Sequence, residues 1–439
     1  MSGMTIGLLI FGGLLALLAF RIHVGMGMMI GGAVGFLAMN DWDPSALLYT
    51  LNHLAYARLS NYDLAVIPLF MLMGQFATNG GLSRALFRFA AAFLGHLRGG
   101  LAMAATGACA GFGAICGSSL ATAATMAQVA LPELRSHGYS GRLATGTLAA
   151  AGTLGIMIPP SVPLVIYAVL TQESIGKLFM AAVIPGLIAM LGYMAVIRLL
   201  VVLDPKAGPA GKRHTWAERF KATIAVVPVM GVFAVVIVGI YGGWANPTEA
   251  ASIGAAACGV LAFLTGGMRW KGFKASLVGT ANATAMIFLV LLGADLLNSA
   301  LALTQMPGEL AAWVKSSAFP PLLVLMSILV IYILLGCVMD SLAMILLTIP
   351  IFYPMVMGLD FFGMSDVDKS VWFGILALMV VEIGLVHPPL GMNLFIIQKL
   401  SRDVPYIETA KGVMPFLASD LVRIALLVAF PAIALWMVR

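Results

Sequence analysis

The sequence predicts an all-α polytopic membrane protein made of two inverted repeats, each with one re-entrant hairpin and one broken helix. Three observations predict it. Of the 439 residues, 61% are hydrophobic and only 10% are charged, a balance outside the range of water-soluble domains. Many apolar runs approach or exceed the roughly 20 residues that cross a bilayer as helix, and none alternates in the short pattern of an outer-membrane barrel. Finally, a double proline occurs twice in apolar surroundings, Pro159-Pro160 within GIMIPPS (155–161) and Pro388-Pro389 within GLVHPPL (384–390). Two successive prolines remove two backbone donors and crowd the preceding turn, so a helix breaks there. At membrane depth the freed carbonyls are tolerated only against protein or a watery cavity, which marks both breaks as candidate sites for an ion or polar solute.

Composition narrows the functional classes. The net charge of +6 comes from 24 basic and 18 acidic side chains, and the basic ones concentrate in a few loops. That distribution bears on orientation in the membrane, with lipid as a partner, and not on nucleic acid. Cys109, Cys116, Cys258 and Cys337 lie inside apolar segments without metal-ligand spacing, so they read as packing residues and neither a disulfide framework nor a zinc site is expected. An enzyme is not expected: there is no HExxH, no GxSxG and no protease-like aspartate pair.

Residues 1–63 read as N-terminal scaffold. The run 5–20 has no basic residue before it and no small-x-small cleavage site after it, so it is expected as a retained helix. A second helix, 24–39, follows Arg21 and His23; the acidic turn NDWDP (40–44) then leads into a semi-polar stretch reaching Asp63. The first repeat covers 64–203. Its opening span, 64–77, ends at Gly80-Gly81, and 82–98 reads as an amphipathic interfacial helix with Arg84, Arg88 and Arg98. The stretch 101–134 is interrupted by GFGAICGSS (111–119) and each arm is too short to cross alone, so a re-entrant hairpin is expected with its tip inside the membrane. The first broken helix, 143–170, and a long span, 177–203, close this half.

Residues 204–221, with Pro205, Gly208, Pro209, Gly211 and five basic side chains, form the expected linker. The second repeat, 222–439, begins with helices at 222–241, 250–267 and 276–303 and an interfacial helix near 307–317. Hairpin two follows at 320–357, its tip at GCVMDS (336–341); then come an acidic loop (360–369), the second broken helix (371–400) and a last helix (412–438). The halves align. Gly113 with Gly336 and Ser118 with Ser341 share an offset of 223, whereas Gly155 with Gly384 and the two proline pairs share 229. Placing the basic linker in the cytoplasm puts Arg21, 135–142, 269–274 and 399–411 inside and 41–63, 171–176, 242–249 and 360–369 outside. Hairpin one then enters from the cytoplasm and hairpin two from outside, with both termini outside. Such inverted repeats are the usual build of a secondary transporter with a midplane site.

On these residues the chain resembles the large membrane subunit (DctM, or M subunit) of tripartite ATP-independent periplasmic (TRAP) transporters, from PLFMLMGQ (68–75) to the C-terminus. GSSLATA (117–123), GTLGIMIPPS (152–161), PIFYP (350–354) and EIGLVHPPLGMNLF (382–395) carry the resemblance most specifically. It implies an elevator-type fold, in which hairpins and broken helices slide against a scaffold. It also implies Na⁺ symport with no organic cofactor, import of an organic acid across the bacterial inner membrane, a separate small four-helix (Q-type) membrane subunit and a periplasmic (P-type) substrate-binding protein. The alternative is a stand-alone Na⁺- or H⁺-coupled carrier of a related elevator family. His387 stands where many relatives have threonine, which raises the question of proton involvement.

Na⁺ is a hard cation that prefers oxygen ligands. One Na⁺ site is therefore expected at Gly117, Ser118 and Ser119 with Gly152, Thr153 and Gly155, and a second at Gly336, Val338 and Asp340 with Gly384 and His387. The plainer reading is that these glycines and serines permit close packing and the prolines only kink; the paired inverted pattern weighs against it. Substrate contacts are expected from Ser119, Ser161, Asp340, Ser341 and Asn393, with helix N-termini meeting an anion. Asp340 either holds ligand or caps its hairpin tip, and Asn393 either contacts substrate or satisfies loose carbonyls. Asp295 is expected as a polar contact of the scaffold and Glu382 as a brace for the second break. No intramembrane Arg or Lys stands out.

Overall fold

Every regular element among the residues described by a computed structural model, 2–20, 22–317 and 319–438, is helical. Arg21, expected on the cytoplasmic side, lies outside them. The scaffold begins with α1 (Gly3–Ala19), α2 (Val24–Met39) and α3 (Ser45–Leu59); the last is a mostly exposed helix within the semi-polar stretch. A short 3₁₀ turn leads to α4 (Val66–Asn79), which meets α5 (Leu82–Leu94) at a 68° bend where Gly81 takes a φ of 72°. That left-handed conformation suits glycine.

The first half continues through α6 (Gly100–Cys116), α7 (Ser119–Ser136), α8 (Gly141–Gly152), α9 (Leu154–Met157), α10 (Val162–Thr171) and α11 (Ile175–Leu203). Its counterpart comprises α12 (Trp216–Tyr241), α13 (Pro247–Leu264), α14 (Trp270–Leu303), α15 (Met306–Ser316), α16 (Pro321–Gly336), α17 (Ser341–Met357), α18 (Asp366–Val386), α19 (Met392–Leu400), α20 (Tyr406–Ala429) and α21 (Ala432–Leu435). Among the described residues six helices are long and apolar enough to cross a membrane, or up to eight if the bent pairs α4–α5 and α8–α10 each count as one span. This is a multi-pass membrane protein.

The expected linker 204–221 is shorter than read. A capping box starts α12 early: Glu218 N donates to Thr215 Oγ1 (3.3 Å), and the Glu218 carboxylate accepts from Thr215 N (2.7 Å). Residues 216–221 are therefore helical. Arg219 is buried, its Nε donating to Ala92 O at 3.1 Å and its guanidinium lying over Trp216 and Phe93. A second capping box, Asn246 with Glu249, starts α13 three residues before the expected 250.

Small residues set the packing. A Cβ on Gly32 of α2 would lie 2.7 Å from the Leu296–Leu297 backbone of α14, so the long scaffold helix approaches α2 as closely as only glycine allows. α18 sits at the centre, buried from Lys369 to Val386 and packed by α10, α11, α16, α17 and α20. In contrast, α12 leaves Phe220, Ile224, Val227 and Val235 exposed, as a lipid-facing helix does.

The loops gather at two ends. At one, Gly208 O accepts from Gly99 N, Gly95 O from Gly211 N and Ala207 O from Ser140 N, each at 2.9 Å. Arg135 pairs there with Asp403 and donates to Ser401 Oγ at 2.6 Å. The linker, 135–142 and 399–411 are segments assigned to the cytoplasm from charge alone. At the other end, Arg58, Asp63, Gln172, Glu173, Ser174 and Asn246 line a cavity of about 980 Å³, joining three loops expected outside. Lys369 Nζ donates to Met357 O (2.9 Å) and Leu359 O (3.0 Å), tying the fourth to the open end of hairpin two. The α6–α7 hairpin thus opens at the first end, and Tyr353 and Pro354 of α17 line a cavity with Arg58 and Leu170 at the second.

Candidate functional site

Each hairpin turns in a few residues. In the first, α6 ends at Cys116, Gly117 takes a left-handed φ of 63°, and Ser118 caps α7 by accepting from Ala121 N at 3.4 Å. Asp340 does the same for α17, its Oδ2 accepting from Ala343 N at 3.4 Å, so the capping role anticipated for it is the one its side chain performs. By position Asp340 matches Ser118 and Ser341 matches Ser119, an offset of 222. This corrects the expected alignment of Ser118 with Ser341: the second tip is one residue shorter between glycine and cap.

Behind each tip a glycine of the hairpin meets a glycine of a broken helix. A Cβ on Gly336 would lie 2.8 Å from Gly384 Cα, and one on Gly113 would clash with Gly155 Cα. Residues aligned between the halves therefore make the same contact twice. Helix α9 stops at Met157 and α10 resumes at Val162, 42° off line; α18 stops at Val386 and α19 resumes at Met392. Pro159-Pro160 and Pro388-Pro389 both carry cis peptide bonds.

The structure groups the expected first-site residues in part. Ser118 O lies 2.8 Å from where a Cβ on Gly155 would sit, and Pro160 O 3.1 Å from one on Gly117. Gly152 packs on Ala123 beside the Asn393 amide. Thr153 turns away: its Oγ1 donates to Ala150 O (2.7 Å) and lies 3.2 Å from the Tyr193 hydroxyl. Thr122 was not singled out, although it belongs to GSSLATA; its buried Oγ1 has no hydrogen-bond partner and sits beside Gly155 and Ser118 O. At the second site Gly336 and Gly384 touch, the Val338 side chain is exposed, and His387 Nδ1 lies 3.9 Å from Cys337 Sγ.

Among the expected substrate contacts, Ser161 Oγ and Asn393 Oδ1 are buried without partners, while Asn393 Nδ2 donates to Ala149 O (3.2 Å) and joins α19 to α8. Ser119 and Ser341 converge on one acceptor. The Glu382 carboxylate, fully buried, accepts from Ser119 Oγ on Oε2 and from Ser341 Oγ on Oε1 at 3.0 Å.

This combination of elements coincides with a family match. Residues 11–433 fit the profile of the tripartite ATP-independent periplasmic transporter, DctM component. The chain belongs to the DctM family. It is 35% identical over 376 residues to the C4-dicarboxylate TRAP transporter large permease protein DctM of Pseudomonas aeruginosa, covering 85% of this chain and 86% of that one. Over 387 residues it is 31% identical to the sialic acid TRAP transporter large permease protein SiaM of Vibrio cholerae, covering 86% of each. Among solved structures, the Alcanivorax borkumensis YdaH transporter superposes with a TM-score of 0.64 over 88% of each chain at 16% identity, a likeness of fold.

The chain also buries charges. Contrary to the expectation that no intramembrane Arg or Lys stands out, Arg423 of α20 is buried and lies 2.8 Å from Asp420, which accepts from the Tyr193 hydroxyl at 2.8 Å. The i,i+3 spacing of D-x-x-R in 420–423 signals the pair; its balanced charge hides it from a net-charge reading. Asp295 accepts from Arg58 Nε and Nη2, joining α14 to α3 as a polar contact of the scaffold. Among the described residues no cluster of three or more His, Cys, Asp or Glu is placed to hold a metal ion. Ser118 O, Pro160 O and the unpartnered Thr122 Oγ1 are the oxygens beside the first tip and break.

Proposed function

We propose that this TRAP large permease subunit imports an organic acid across the bacterial inner membrane by Na⁺ symport. The hairpins and broken helices form a unit that slides, elevator-fashion, against a scaffold containing α2 and α14. The halves are inverted repeats, with both termini periplasmic. The observation that carries the reading is the convergence of two hairpins, opening at opposite ends of the molecule, on two broken helices through matching glycine contacts. Such a site is closed from either end by its own hairpin, as alternating access requires. One Na⁺ is held near Ser118 O, Thr122 Oγ1 and the Gly155 break, and a second near the Gly336–Gly384 contact, with Val338 and His387 alongside. Ser161 and Asn393 offer their free oxygens to the substrate.

The substrate class rests on relatives whose names specify C4-dicarboxylate, sialic acid, isethionate and ectoine. The isethionate relative from Oleidesulfovibrio alaskensis is named a permease protein DctMQ, which supports a Q-type partner. A periplasmic binding protein delivers the substrate. The test is reconstitution in proteoliposomes with both partners and an inward Na⁺ gradient, assaying labelled C4-dicarboxylate and sialic acid. Uptake is expected with Na⁺, not with K⁺, and not from the chain alone; uptake by the chain alone would favour a stand-alone carrier.

A further inference from the structure

Glu382 is 0% exposed, and its two carboxylate oxygens are divided between the hairpins, one receiving the Ser119 hydroxyl from the start of α7 and the other the Ser341 hydroxyl from the start of α17. These serines are 222 positions apart and hold the same place in their hairpins, directly after the residue that caps the helix. The charged groups facing the carboxylate from neighbouring elements are Asp420 and Arg423 of α20, and they pair with each other. Tyr193 Oη on α11 donates to Asp420, and Tyr332 Oη on α16 accepts from Thr348 Oγ1. Glu382 therefore depends on the two hairpins for its hydrogen bonds.

We propose that Glu382 is a positioning residue that couples the two hairpin tips, so that loosening one loosens the other. A buried carboxylate that loses one of two donors bears a desolvation cost larger than the bond itself. Opening either tip admits water and relieves that cost. Removing the Ser119 hydroxyl therefore weakens closure of hairpin two, although no atom of hairpin two has changed, and removing the Ser341 hydroxyl weakens closure of hairpin one. The inference rests on the transport reading for its purpose but not for its geometry: hairpins that both gate one site gain from a shared contact reporting whether each is shut.

Hydrogen–deuterium exchange on the purified full-length chain in lipid nanodiscs, without partners or substrate, tests it. Ser119→Ala is expected to accelerate amide exchange in residues 336–345 as well as 113–122, on the order of tenfold at each tip, the size of one lost buried hydrogen bond. Ser341→Ala should accelerate exchange in the same two segments. In a Glu382→Ala background the cross-hairpin effect should vanish, and Glu382→Met, which fills similar space without an oxygen for either serine, serves if the alanine variant does not fold. Acceleration confined to the mutated tip, or a cross-hairpin effect that persists without the carboxylate, would overturn the proposal. Transport is not read in this experiment, so a chain that failed to carry organic acids would leave its result standing.

Discussion

Gly384 and Gly336 meet with no space for a methyl group, since a Cβ on Gly384 would sit 2.5 Å from Gly336 Cα. Gly384→Ala is therefore expected to lower stability by about 1–3 kcal/mol, the usual cost of overpacking, and to abolish transport; thermal unfolding in detergent reads the first effect. Gly231→Ala on α12, where nothing lies within 4 Å, should leave both unchanged. Asp340 caps α17, and Asn caps nearly as well, so Asp340→Asn should preserve the melting temperature while Asp340→Ala loses about 1 kcal/mol. A loss of uptake in the Asn variant at full stability would give Asp340 a ligand role as well. Thr122→Val should raise the Na⁺ concentration needed for half-maximal uptake, and an unchanged Na⁺ response would remove the first site. At this scale the sequence was legible for residue types and poor for partners. The motif glycines and serines stand out because their spacing repeats, but no spacing shows that Ser119 and Ser341 share Glu382, which lies 263 positions from the first and 41 from the second.

Among the elements, α3 shows why composition can mislead. Its mixed polar and apolar residues carry no apolar stripe, because little of the helix is buried, and it is held instead by Arg58 reaching Asp295 on α14. Arg58→Ala leaves that buried carboxylate unpaired and should destabilise the protein by about 3 kcal/mol, whereas adding Asp295→Asn should recover most of the loss. A double-mutant cycle on thermal unfolding checks this, and additive effects would mean that the pair does not anchor α3. The breaks and hairpins were more legible because prolines and glycines act locally: Pro159-Pro160 and Pro388-Pro389 stop a helix whatever surrounds them. The start of α12 was missed for the converse reason. The Thr215–Glu218 capping box lies within the basic, proline-containing stretch that marked the linker, and the local cap outweighs that composition.

For the molecule as a whole, loop charge and the packing of the loops agree. Segments assigned to the cytoplasm by their basic residues hydrogen-bond to one another at one end, and three segments assigned outside share one cavity at the other. Charge placement is legible in sequence because the membrane acts on each loop separately, whereas the meeting of the two hairpin tips on α18 depends on the assembled fold. The central claim is that these hairpins approach a common site from opposite sides of the bilayer. The measurement that tests it most directly is sided labelling with a membrane-impermeant maleimide in a chain freed of its four native cysteines. It carries either His137→Cys beside the open end of hairpin one or Val367→Cys beside that of hairpin two, both exposed positions. Labelling of the Val367→Cys chain in intact cells, with the His137→Cys chain labelled only after the membrane is opened, is the predicted result; labelling of both positions from the same side would contradict it.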